Sequence, residues 1–293
     1  MKIIVAGSLG NISKPLAQQL IAAGHQVTII SSNNDKTAGI EQLGAQAAIG
    51  SLNDAAFLTQ TFTGADAIYG MVPPNFGNSS MREGMNKVGL AYAEAIKASG
   101  ISKVVFLSSI GAHLDGGTGP IAGLHDVEQL LNKLDRVDIK YLRANMFYFN
   151  FFHDIPLIKQ AGIIGSNYPA GTRLVMVHPT DIADAVAEAL QQPFEGKNIS
   201  YVASDDRTTT DIAKVLGTAI GKPELPWVEF TDEQAYEGMV QAGMPLEVAK
   251  NYLEMGTAVR KGILWTDLDQ QKPKLRDRKL EDFAKEFAEK FNG

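Results

Sequence analysis

Val5-Ala6-Gly7-Ser8-Leu9-Gly10-Asn11-Ile12-Ser13-Lys14-Pro15 decides the fold. An apolar run, Lys2–Ala6, enters it, and a helix-period segment, Ile12–Ala23, leaves it. A glycine-bearing turn between a strand and a helix is the context a dinucleotide fingerprint requires. Gly7 supplies a backbone conformation closed to other residues, and Gly10 lets a pyrophosphate approach the main chain. The N–H groups of Asn11 and Ile12 then face the phosphates at the positive end of the helix. Pro15 falls in the first turn, where its missing N–H costs nothing. Ser13 stands where the usual pattern has a third glycine, and it is small enough to keep helix and strand close.

Outward from that turn, strands are expected at Gln26–Ser31, Ala45–Ile49, Ala65–Val72, Lys103–Ser108 and Asp138–Arg143. Helices are expected near Asp54–Thr61, Ser79–Ser99 and Ile121–Leu134. Repeated strand–helix–strand spacing predicts an α/β fold, a Rossmann-type doubly wound parallel sheet. Val104-Val105-Phe106-Leu107 reads as a strand buried on both faces. The rhythm changes after Asn150. Residues 1–150 are expected to form the dinucleotide-binding domain, with strands near 173–177 and 199–202 available to join its sheet. Residues 151–293 are mainly a smaller C-terminal α/β lobe for substrate. That lobe carries helices at Thr180–Gln192 and Thr209–Ile220 and an amphipathic tail, Lys279–Phe291, with Leu280, Phe283, Phe287 and Phe291 on one face.

Composition narrows the function classes. The 293 residues contain no cysteine, which excludes disulfides and thiolate chemistry and fits a cytoplasmic setting. A net charge of −6 disfavours nucleic acid and anionic membranes as partners. No stretch is long and apolar enough to span a bilayer. The histidines lack metal-site spacing, so no metal is expected. The basic stretch Lys272–Lys279 reads as a solvated face. A small-molecule substrate is the expected partner.

The end of the second strand should read the adenine ribose. Ser31, Ser32 and Asn33 stand there, with no acid at the tip and with Lys14 and Lys36 nearby. Neutral donors and lysines favour NADP(H) slightly over NAD(H). No Tyr-x-x-x-Lys occurs anywhere in the chain. Reduction of a quinone or a cationic dye needs no strong proton donor, because the first product is a phenolate-type anion or a neutral molecule. Such chemistry depends mainly on holding nicotinamide and acceptor face to face. The aromatic run Phe147–Phe152, with Phe147, Tyr148 and Phe151 as candidate substrate contacts, lies just after the sixth strand. It is equally a stacking platform or plain core.

The order Gly7-x-x-Gly10-x-x-Ser13, Gly50-Ser51-Leu52-Asn53-Asp54, Val104–Ala112, His125-x-x-Glu128, Tyr141-Leu142-Arg143, His178–Ala183 and Arg278–Ala284 resembles the NmrA-like, atypical short-chain dehydrogenase/reductase family. The resemblance spans nearly the whole chain. It implies a Rossmann domain whose C-terminal lobe closes the substrate cleft, and relatives that include quinone and dye reductases and NADP-sensing regulators. By that resemblance Gly7, Gly10, Asn11, Ile12, Ser31, Ser32 and Asn33 hold the cofactor. Ser51 and Leu52 meet its adenine, Val72 and Pro73 lie along it, and Ser108 and Ser109 approach the nicotinamide ribose. His125 is the candidate proton donor, and Glu128, three residues on, reads as structural. The expected function is an NAD(P)H-dependent oxidoreductase acting on a small flat acceptor. The alternatives are an NADP(H)-sensing binding protein without turnover and, ranked last, an enzyme like the nucleotide-sugar epimerases.

Overall fold

The computed structural model describes residues 1–73 and 80–293. Ser79, where the sequence pattern opens its third helix, lies outside that set.

The first half builds a parallel sheet. Its elements are β1 (Lys2–Val5), α1 (Ser13–Ala22), β2 (Gln26–Ser31), α2 (Thr37–Gln42), β3 (Gln46–Ile49), α3 (Ala55–Phe62), β4 (Ala67–Gly70), α4 (Met81–Ser99), β5 (Lys103–Ser109), α5 (Ile121–Asn132) and β6 (Asp138–Ala144). The second half adds β7 (Met146–Phe147), α6 (Ile155–Ala161), β8 (Ile164–Ser166), β9 (Arg173–Val177), α7 (Pro179–Gln191), β10 (Lys197–Val202), β11 (Asp205–Thr208) and α8 (Thr209–Ala219). It closes with β12 (Trp227–Glu229), α9 (Asp232–Gln241), α10 (Leu246–Arg260), α11 (Thr266–Gln271) and α12 (Leu280–Asn292).

Seven strands form one parallel sheet in the order β10-β6-β5-β4-β1-β2-β3. The order reverses between β1 and β4, and ligands bind outside the carboxyl ends of strands at such a switch. Two apolar layers flank the sheet. Leu16, Leu20, Ile182 and Val186 from α1 and α7 cover one face, while Leu58, Val88, Tyr92 and Val127 from α3, α4 and α5 cover the other. β5 is buried on both sides, which is why its sequence is a continuous apolar run.

Of the two later strands available to this sheet, β10 joins its edge beside β6. β9 pairs instead with β11 and β7 in a separate three-stranded sheet, and β12 with β8 in a third. These small sheets, with α8 and α12, enclose a second core around Tyr148, Phe151, Phe283 and Phe287. α7 follows β9 yet packs on the first domain beside α1, so the chain crosses back before completing the second lobe.

Candidate functional site

Three strand ends converge at the switch point: the turn after β1, the segment after β4 and the loop after β5. At the first, Gly7 has φ +101°, and a Cβ there would run into the Ser13 hydroxyl. A Cβ on Gly10 would stand 2.9 Å from the Gly7 carbonyl oxygen. Ser8 adopts φ 57°, uncommon for a residue with a side chain, and is held by its N–H on the Ile30 carbonyl at 3.0 Å. Ser13 does more than substitute for a small residue. Its buried hydroxyl donates to the Ala6 carbonyl at 2.7 Å and stitches the helix start to the strand end.

The mouth of α1 is left open. Ile12 occupies its N-cap without a side-chain cap, and no acid lies in the first turn. Among the described residues, no acceptor meets the Asn11 or Ile12 N–H. By contrast Asp54, Ser80, His178, Thr208 and Thr231 each cap the helix that follows them. Unspent amides at a positive helix end suit an anion.

At the end of β2, the Ser31 hydroxyl is buried in a local network. It accepts from Ser8 Oγ at 3.0 Å and from the Asn33 N–H at 3.2 Å, and donates to the Asn33 carbonyl at 3.1 Å. The Asn33 side chain caps the short turn 34–36 by accepting from the Asp35 N–H at 2.8 Å. Ser32, Asn33, Lys36 and Lys14 are exposed. Ser51 is exposed and its hydroxyl accepts from the Asn53 N–H, whereas Leu52 is half-buried against the α3 side of the sheet. After β4, Val72 is buried and Pro73 half-buried.

The third strand end is built on charge. Ser108, Arg143 and Tyr201 are lateral neighbours on β5, β6 and β10. Glu128 on α5 accepts from Ser108 Oγ at 2.5 Å and takes Arg143 in a bidentate pair at 3.0 and 2.7 Å. Both members of that pair are almost wholly buried, with side-chain exposures of 4% and 3%. Arg143 Nη1 also donates to Tyr201 Oη and to Asp267 Oδ2, each at 3.1 Å. The Glu128 contacts hold the Arg143 guanidinium charged against the desolvation that opposes it. Burial, followed by the bond to Asp267, raises the Tyr201 phenol above its ordinary range. Ser108 is thus directed inward, and Ser109 is the half-exposed hydroxyl at this strand end.

His125 lies half-buried on α5, its Nδ1 at 2.9 Å from the Ala112 carbonyl oxygen. A carbonyl only accepts, so Nδ1 carries a proton, and Nε2 is the ring atom left for a ligand. His113 faces the second lobe, with Nε2 at 2.8 Å from Thr266 Oγ1. Thr266 spends its own proton on the Ile263 carbonyl, so His113 Nε2 is the donor. Burial lowers the His113 pKa.

The aromatic run resolves toward packing. Tyr148 and Phe151 are buried in the second core. Tyr148 stacks on Phe283 with centroids 5.3 Å apart, and Phe152 stacks on Phe287 at 6.1 Å. The apolar face of amphipathic α12 needed a partner surface, and this run supplies part of it. Tyr148 and Phe151 therefore present no face to a ligand, and Phe147 is half-buried against the first domain.

The basic stretch divides: Lys272 and Lys274 are exposed, as a solvated face would be, while Arg276, Arg278 and Lys279 form a strap. Arg276 makes a bidentate pair with Glu188 at 2.6 and 2.7 Å. Arg278 bridges Asp181 and Asp184 on α7 at 2.5 and 2.6 Å, and Lys279 Nζ donates to the Ser204 and Arg276 carbonyls. Sequence reading also passed over His113, Tyr201, Thr266 and Asp267, and gave Arg143 no role. The lateral row through Arg143 follows from strand register, but Asp267 lies 124 residues away with no local motif to mark it.

The described residues contain no cluster of acids and histidines that could hold a metal ion, and no helix among them is long and apolar enough to cross a membrane. The model of the NmrA-like family matches residues 1–284. A triphenylmethane reductase from Citrobacter sp. is 20% identical and superposes with a TM-score of 0.81, covering 99% of this chain and 100% of that one. An NADPH-dependent quinone oxidoreductase from Escherichia coli, solved with NADPH, is 18% identical with a TM-score of 0.83 over 97% and 99%. A nucleoside-diphosphate-sugar epimerase from Staphylococcus aureus is 18% identical with a TM-score of 0.77 over 97% and 100%.

Proposed function

This chain belongs to the NmrA-like family, and from that premise we propose that it is an NADP(H)-dependent oxidoreductase passing hydride to a small flat acceptor such as a quinone. The observation that carries the reading is the open mouth of α1, where a turn too tight for side chains at Gly7 and Gly10 leads into the helix and, among the described residues, the Asn11 and Ile12 amides have no partner. A dinucleotide seated there extends one way to Ser31, Ser32 and Asn33, with Ser51 and Leu52 beside the adenine. The other way it runs past Val72 and Pro73 to Ser109 and His125. Bound nicotinamide supplies the hydride. The chain's own part is to hold ring and acceptor in contact and to offer His125 Nε2 to a ribose hydroxyl or to the reduced acceptor. Neighbours in fold that reduce quinones and dyes support the acceptor class. The lack of an acid at the β2 tip, with Lys14 and Lys36 exposed nearby, supports NADP(H).

One observation favours a second reading, cofactor sensing without turnover: the rings of Tyr148 and Phe151 are spent on core packing and offer no stacking platform. Incubation of NADPH with a panel of quinones and triphenylmethane dyes separates the two. Protein-dependent loss of cofactor absorbance supports the reductase. NADPH binding with no loss across the panel supports the sensor.

A further inference from the structure

The second lobe reaches the nicotinamide end of the first domain through one buried polar chain. Asp267, in the first turn of α11, lays a carboxylate on Arg143 Nη1 at 3.1 Å and accepts from Tyr201 Oη at 2.5 Å. Arg143 passes the constraint to Glu128, and Glu128 to Ser108. Beside it, Thr266 takes the His113 N–H from the loop that follows β5. Two adjacent residues of α11 therefore grip β6, β10 and the loop carrying Ala112, the residue whose carbonyl sets the His125 tautomer.

A simple stability role explains this arrangement poorly. Replacing a buried ion pair with apolar residues is often neutral or stabilising, so such pairs are weak evidence of stability, whereas fixing a unique geometry is an attested use. Arg143 and Glu128 already neutralise one another. Asp267 adds a second carboxylate, 26% exposed, whose contribution is register between the lobes.

We propose that Asp267 is a positioning residue, which seats the second lobe over the strand ends and thereby aligns the acceptor with the nicotinamide. The inference rests on the reductase reading. Asp267 touches neither the glycine turn nor the β2 end, so its effect falls on the nicotinamide end and leaves the anchoring of the diphosphate and adenine ribose in place. Misplacement of reacting groups by about 1 Å costs on the order of 100-fold in rate, and partial loosening of one anchor about tenfold.

The test compares wild type, Asp267→Asn and Asp267→Glu by NADPH fluorescence titration and by quinone turnover well below the unfolding temperature. Asp267→Asn is expected to hold NADPH within twofold of wild type and to lose about tenfold in kcat, and Asp267→Glu to recover part of that loss by returning the carboxylate. Unchanged kcat per folded molecule in Asp267→Asn overturns the proposal, as does a loss confined to NADPH affinity. Hydrogen exchange on NADPH-free protein keeps the two readings distinguishable. If wild type turns over no acceptor, the reductase reading fails. Faster exchange at 108–113 as well as at 266–271 in Asp267→Asn still supports the lobe registration, and unchanged exchange overturns it.

Discussion

The mouth of α1 and the strap at 272–286 treat polar groups in opposite ways. Around the strap the arginines and Lys279 have found acceptors: Arg276 on Glu188, Arg278 on Asp181 and Asp184, Lys279 on two carbonyls, with Arg207 joining Asp205 to Glu281. Around the α1 mouth, strong backbone donors stand unspent beside two glycines that keep side chains away. α3, α4, α7, α8 and α9 are closed at their starts by capping side chains, whereas α2, α5, α6, α10 and α11 begin uncapped as α1 does. What sets the α1 mouth apart is its place after a glycine turn at the switch point of the sheet, where open amides suit an anion, whereas dense pairing points to assembly. Net basic composition alone misleads, because both arginines of the strap are paired with carboxylates of α7 in the fold.

The largest effect that would break this contrast comes from Gly10→Val. A Cβ there would stand 2.9 Å from the Gly7 carbonyl oxygen and force the turn to shift, and we expect NADPH affinity to fall at least 100-fold, about 2.7 kcal/mol, measured by calorimetry. Equal binding would mean that the open mouth is incidental. Arg278→Gln strikes the other region. It leaves Asp181, whose side chain is 3% exposed, without its cation. Because Arg278 itself is 40% exposed, the expected cost is about 1–2 kcal/mol in denaturant unfolding, below the value for a fully buried pair. NADPH affinity should stay within twofold. A large loss of cofactor binding would show that strap and mouth are coupled.

Asp154 gives a pH-dependent test within the second lobe. Burial pushes its carboxyl up to about 7, and none of the causes of that shift is a cation. A carboxyl with a raised folded pKa favours the protonated native state, so its contribution is present below about pH 4 and fades as pH rises through 7. Asp154→Asn is therefore expected to raise the unfolding free energy at pH 8 by about 1–2 kcal/mol, seen as a higher midpoint, and to leave it unchanged near pH 4. A midpoint difference independent of pH contradicts the assignment. The smallest effect is Lys36→Ala, expected to lower the preference for NADPH over NADH by two- to threefold, since an exposed lysine acts as a screened point charge. No change in the ratio removes Lys36 from the ribose end.

Much of the first domain was legible because its signals are local. The glycine turn and the apolar β5 run each place an element within a residue or two. Ser13 was legible as a small residue, while its hydroxyl bond to Ala6 needed the fold. The second lobe was less legible. α9 buries no residue and α11 is only six residues long, so neither carries a strong apolar period. Strands β7, β8 and β12, of two or three residues, exist through pairing that no local pattern announces. The aromatic run illustrates the limit most plainly. Its composition suits a ligand platform or a core equally, and only the position of Phe283 and Phe287 decides between them. The same holds for Asp267, whose role arises from a contact across 124 residues.

The account stands on the α1 mouth holding a dinucleotide diphosphate. Its most direct test is hydrogen exchange across the whole chain on addition of NADPH, with calorimetry on the same sample. The account predicts one binding event per chain and slowed exchange at residues 8–13. No heat from NADPH or NADH, or protection confined to regions away from Gly7 and Gly10, would contradict it.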